Sequence, residues 1–123
     1  MKTIIAGSRV ITNKELLEEA IKKSEFKITE VVSGNARGVD RMGEMWAARR
    51  DIKIKMFIPD WKTHGNKAAI LRNCDMGDYA DALIALWDGC SGGTKHMIDY
   101  ATKKGLKVYI YNIRERNNDE AVE

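Results

Sequence analysis

The sequence of 123 residues is poor in metal ligands: its two cysteines, Cys74 and Cys90, lie sixteen positions apart, form no CxxC, and have only His64 and His96 to join them. This argues against a structural zinc site and for free thiols in a reducing compartment, and no metal or cofactor is expected. No run of about 18 apolar residues occurs, and the opening MKTIIAGS has a lone Lys2 and too short an apolar stretch for a signal peptide. Neither membrane insertion nor export is expected, and a cytoplasmic location is. Three catalytic or nucleotide-binding signatures are missing as well. There is no GxGxxG, no GxxxxGK[ST] and no HExxH, which argues against standard hydride transfer and ATP hydrolysis. Charge of one sign is scarce too. The net charge of +3 is mild and its basic residues are interspersed with acids, so nothing suggests a duplex held by phosphate neutralisation. A small anionic ligand fits better.

Apolar residues at 44% and charged residues at 32% are in the balance of a globular chain, and the length suits one core. Lys2 to Ala6 is a short apolar run. Thr12-Asn13-Lys14-Glu15 matches a capping box, with Leu16, Leu17, Ala20 and Ile21 on one helical face behind it. Ile28 to Ser33 is rich in β-branched residues and stops at Gly34, after which Val39, Met42, Gly43, Trp46 and Ala47 recur at helical spacing. Ile52 to Ile58 reads as a third strand, ended by Pro59, the only proline. A polar segment from Asp60 to Asn66 leads to a helix over Lys67 to Asp78.

Ala82-Leu83-Ile84-Ala85-Leu86-Trp87 is nearly continuous in apolar residues, as a parallel strand covered on both faces must be. Thr94 to Lys104 forms a helix, Gly105 stands where a C-cap glycine belongs, and Leu106 to Tyr111 is a fifth strand. Five strands alternating with four helices predict an α/β fold: one Rossmann-like three-layer domain over 1–113, an open parallel sheet with helices on both faces, and a charged, frayed tail over 114–123.

In such sheets ligands bind beyond the carboxyl ends of the strands, where helix starts present backbone N–H groups. Three strand ends carry small or glycine residues: Gly7-Ser8-Arg9, the stretch Ser33-Gly34-Asn35-Ala36-Arg37-Gly38-Val39-Asp40, and Gly92-Gly93-Thr94. Any one of these loops taken alone is what an ordinary turn uses. All three on one edge of the sheet point to an anion site.

Asp40 is the leading acid. On a first helical turn it complements the dipole, worth about 0.3–1 kcal/mol. As a ligand contact it would accept bonds from ribose hydroxyls, worth about 1.5–3 kcal/mol, or serve as a general base if its pKa were raised. Arg9 and Arg72 are the candidate phosphate clamps, because a guanidinium fork matches phosphate oxygens. Trp61, with Lys62 and His64, either closes over a base or anchors its loop. Trp46 and Trp87 fall on apolar faces and are expected in the core. His96 is given no role.

The segments Ile5-Ala6-Gly7-Ser8-Arg9, Ser33 to Asp40 and Gly92-Gly93-Thr94 together resemble the three sequence blocks of the SLOG superfamily, named for the Smf/DprA and LOG proteins. Within it they are similar to the small stand-alone branch related to YspA and YpsA. A further block of that branch is similar to Trp61-Lys62, His64 through Lys67 to Ala69, and Arg72-Asn73. The resemblance runs from Ile4 to about Ile110.

It implies a fold that binds nucleotides or nucleotide-derived ligands, with ligand contacts at Gly7, Ser8, Arg9, Ser33, Gly34, Asn35, Ala36, Gly38, Asp40, Arg72, Asn73, Gly92, Gly93 and Thr94, and with base or lid contacts at Trp61, His64 and Lys67. Homodimers or higher homo-oligomers are implied as well. Some members hydrolyse the N-glycosidic bond of a nucleoside monophosphate through a Glu three positions after the block's Thr. Here that position is Met97, and Asp99 lies about 200° from it around the helix. A binding domain for a nucleotide-derived small molecule is therefore the leading reading. An N-glycosidase using Asp40 as its catalytic acid or base is the alternative, and a single-strand DNA module like the DprA members comes third, for want of a basic stripe with interleaved aromatics.

Overall fold

Residues 1–113 are described by the computed structural model, and the charged tail expected over 114–123 lies outside the described residues. Within them the five expected strands form one all-parallel sheet in the order β3-β2-β1-β4-β5. The strands are β1 (Lys2–Gly7), β2 (Glu30–Ser33), β3 (Lys53–Met56), β4 (Ala82–Trp87) and β5 (Lys107–Asn112). Four long helices pack on them: α1 (Lys14–Ser24), α2 (Val39–Arg49), α4 (Ala68–Tyr79) and α5 (Gly92–Lys103).

The period of two along each strand divides the core into two layers. On β1 and β4, Ile5, Ile84 and Leu86 meet Leu17, Ala20, Val39 and Ala47 from α1 and α2. Ile4, Leu83 and Ala85 face the other way, toward Met76 of α4 and Met97 and Ala101 of α5. Ile4, Ile5, Leu83 and Ile84 are 0% exposed. Each such side chain contributes about 1.5–3 kcal/mol of transfer free energy, which is why the run from Ala82 to Leu86 admits no polar residue.

Several local expectations are corrected. Asn13, not Thr12, caps α1, its Oδ1 accepting from the backbone N–H of Glu15 at 3.0 Å, so the capping box does not form. The segment expected to be a polar loop contains a short helix, α3 (Trp61–His64), and a 3-10 turn at Gly65–Lys67. Asp60 starts that helix by accepting from Thr63 N–H at 3.1 Å. The last long helix begins at Gly92, two residues before Thr94, and Gly105 takes φ 82° just beyond its C-cap Lys104. Trp46 is buried as expected, while Trp87 is half-buried at a strand end, its indole N–H donating to the Ser91 carbonyl at 3.2 Å. Among the described residues, no helix is long and apolar enough to cross a membrane.

The strand order reverses around β1. Chain segments after β1 move toward β3 on one side, and the later ones return to β4 and β5 on the other. The chain therefore leaves the paired carboxyl ends of β1 and β4 toward opposite faces of the sheet, which opens a crevice beyond them.

Candidate functional site

A cavity of about 350 Å³ occupies that crevice. Gly7, Ser8 and Arg9 after β1 form one wall, with Ala36 and Asp40 beside them. Arg72 and Asn73 of α4 close it from the opposite layer, and Ser91, Gly93 and Thr94 form its far side. Met76 and Met97 line the cavity as well, both nearly inaccessible to solvent, so its floor is apolar.

The far side owes its character to one aspartate. Asp88 accepts from the backbone N–H of Cys90 and of Ser91, both at 2.8 Å, and from the Ser91 hydroxyl at 2.9 Å. The Ser91 N–H, then that of Cys90, holds the Asp88 carboxyl below its usual range. With its hydroxyl engaged there, Ser91 stands at the N-cap of α5 without capping it. A β-carbon on Gly92 or Gly93 would meet nothing within 4 Å. The helix start thus presents uncapped amides at the positive end of the α5 dipole.

Arg72 is fixed from two sides. Its Nη1 donates to the Gly34 carbonyl at 2.7 Å and its Nε to Asn73 Oδ1 at 3.1 Å. Asn73, itself buried, turns its amide nitrogen to the Gly93 carbonyl and to His96 Nδ1, each at 3.2 Å. With Nδ1 accepting, the His96 ring carries its proton on Nε2. Burial lowers the Arg72 pKa, with Arg9 acting in the same sense and Asp40 against it.

On the β2 side, the loop from Gly34 turns back on left-handed Asn35 at φ 58° and on Gly38 at φ 76°. Gly38 has to be glycine twice over, since a β-carbon there would also lie 2.4 Å from the Ser8 carbonyl oxygen. Gly34 leaves room for the arginine instead: a β-carbon would sit 2.5 Å from Arg72 Nη1. Beneath the loop, Ser33 donates to Glu44 Oε2 at 2.6 Å and accepts from Asn35 N–H at 3.1 Å. The Asn35 side-chain amide, with its nitrogen toward Glu44, donates to the same carboxylate at 3.0 Å.

Asp40 lies at the centre, 5% exposed, accepting from Ala36 N–H at 3.2 Å. Its pKa is raised from 3.8 to about 6. Burial is the main cause, helped by Glu44 one turn away and opposed by the Ala36 bond and by Arg72. Asp40 and Arg72 thus attract each other, yet desolvation drives each toward its neutral form.

Most of the expected residues meet here, but not all. Gly34 and Asn35 line a second cavity of about 240 Å³ together with Trp61, which is half-exposed. His64 faces a third, toward Met56 and Asp75, and Lys67 is exposed and lines none of the three. Ser33 and Gly38 shape the loop from behind, and Gly92 is exposed beside the first cavity. Glu44, Asp88, Ser91 and His96 are participants that pattern reading missed. Glu44 could have been found as the residue four after Asp40, on the same helical face. No local signal marked His96, whose partner stands 23 positions away. Among the described residues, no group of three His, Cys, Asp or Glu side chains could hold a metal ion.

A model of the YspA, cpYpsA-related SLOG family matches residues 1–64, which takes in β1 with its following loop and the whole Gly34–Asp40 segment. Gene 61 protein of Mycobacterium phage D29 is similar to this chain, 33% identical over 117 residues that cover 87% of this chain and 93% of that protein.

Proposed function

The chain belongs to the YspA, cpYpsA-related SLOG family, a membership that implies a nucleotide-related binding role, and on that premise we propose that the cavity between β1 and β4 takes a nucleotide or nucleotide-derived ligand. A phosphate rests on the amides at the start of α5 and against Arg72, and the sugar hydroxyls turn toward Asp40. The observation that carries this reading is Arg72, which is held by Gly34 and Asn73 so that its guanidinium shares one cavity with the uncapped start of α5. A fixed guanidinium and oriented amides form a phosphate cradle that requires little reorganisation on binding. Thermal-shift and calorimetric titration with mono-, di- and cyclic nucleotides, NAD and ADP-ribose test it. Saturable binding that is weakened by Arg72→Gln is expected, and silence across the panel overturns the proposal.

One observation favours a second reading, hydrolysis of an N-glycosidic bond. Asp40 titrates near 6, where a buried carboxylate can take up and return a proton at neutral pH. Met97, at the position of the LOG glutamate, has no acid to offer, so Asp40 alone would have to activate water. Chromatography for free base released from each ligand that binds decides between the readings. Release that Asp40→Asn abolishes supports turnover, and binding without release leaves a binding domain.

A further inference from the structure

The second cavity is lined by four arginines, Arg9, Arg37, Arg41 and Arg72, and by no carboxylate. Arg9, Ala36 and Arg72 line the first cavity too, so the two spaces meet across that divide. Arg72 has Asp40 to offset its charge. Among the described residues, Arg9, Arg37 and Arg41 have no ion pair and no side-chain hydrogen bond. Arg41 stands in the first turn of α2, where the helix dipole disfavours a cation. Arg37 precedes the same helix by two residues, and both are exposed. Gathering guanidinium groups at a helix start costs free energy in the empty protein, and a bound anion removes that cost. The opposite wall presents the half-exposed Trp61 ring together with Ile58, which is 68% exposed.

Resting on the binding reading above, we propose that the ligand carries a second phosphoryl group, which crosses the Ala36 divide into the arginine cavity and is held there by Arg37 and Arg41, with Trp61 flanking whatever that group bears. The ligand class is a nucleotide with a diphosphate or a diphosphate-linked substituent. A nucleoside monophosphate fills only the first cavity. A small molecule suits the arrangement better than a polymer, because the arginines ring one cavity of about 240 Å³ next to the first.

The test is calorimetry at fixed ionic strength on the full chain and on an Arg37→Gln/Arg41→Gln variant, with AMP, ADP, ADP-ribose and a thymidine hexanucleotide as probes. Both arginines are exposed, so the variant keeps its core. Wild type is expected to bind ADP or ADP-ribose about tenfold more tightly than AMP. The variant should erase that gap and leave AMP unchanged. A preference for ADP over ADP-ribose places a terminal phosphate in the second cavity, and the reverse places a diester there with its substituent on Trp61. Equal affinity of wild type for AMP and both diphosphates, or equal loss of all three in the variant, overturns the second subsite while leaving the first standing. Tighter, arginine-dependent binding of the hexanucleotide overturns it in favour of a single strand. Silence of every probe overturns both readings.

Discussion

Arg72 reaches 38 positions back along the chain, where its Nη1 donates to the Gly34 carbonyl oxygen at 2.7 Å. The contact exists because residue 34 has no side chain. In Gly34→Ala the new methyl would lie 2.5 Å from that nitrogen, but the obstructed group is the end of a flexible side chain, which can swing away. Stability should fall by about 1 kcal/mol, the worth of one hydrogen bond, while nucleotide affinity falls about tenfold because Arg72 leaves the cavity. Urea unfolding and calorimetry on the same variant separate the two effects.

The buried acid makes stability depend on pH with a defined sign. Folded Asp40 keeps its proton up to about pH 6, whereas in the unfolded chain it is lost near 3.8. Between those values the folded state holds more protons, so stability falls as pH rises through the window. The full difference corresponds to about 3 kcal/mol. Asp40→Asn removes the titration. Urea unfolding at pH 4.5 and 7.5 should show wild type gaining about 2 kcal/mol on acidification relative to the Asn variant. Parallel pH profiles for the two proteins would refute the raised pKa.

Two glycines of the candidate site should respond in opposite ways to the same change. Gly38→Ala forces an L side chain to φ 76° and against the Ser8 carbonyl, and should cost about 3 kcal/mol or more. Gly93→Ala meets open space at the start of α5 and should stay within about 1 kcal/mol of wild type. Its methyl nevertheless shields the amides proposed to hold phosphate, so nucleotide affinity is expected to drop at near-constant melting temperature.

Asn73 is placed where only an amide serves. Aspartate could still accept from Arg72 Nε but could donate neither to the Gly93 carbonyl nor to His96 Nδ1. Asn73→Asp should lower stability by about 1–3 kcal/mol, since it leaves those acceptors facing a carboxylate. Chemical denaturation reads this directly. A variant as stable as wild type would show that the Asn73 bonds to Gly93 and His96 carry no net stabilisation.

The fold was legible because its signals are local. Alternation from Ile52 to Lys55, the apolar run from Ala82 to Leu86 and the glycine at 105 each act within a few residues, and the alternation of strands with helices implies a parallel sheet, while the strand order itself has no local signal. The start of α3 was not legible. It depends on Asp60 accepting from Thr63, a bond the same residues could equally have made in an isolated turn. The edge of the site likewise followed from topology, but its wiring did not. Asn73 to Gly93 and Asn73 to His96 join α4 to α5 across 20 and 23 positions, and no window of sequence displays such a pair. Glu44 fell between the two cases: its helical register was readable, but its bond to Ser33 depends on how α2 lies over β2.

The bridge from Gly34 through Arg72 and Asn73 to Gly93 stitches together three segments that meet only once both halves of the sheet are paired. A partly folded chain therefore has no intact receptor, and ligand is captured by the native state alone. Under the proposed function, occupancy becomes a component of conformational stability. Ligand at a hundredfold excess over Kd would add about 2.7 kcal/mol to unfolding. The level of its nucleotide would then govern how long the protein survives proteolysis as well as how much of it is loaded.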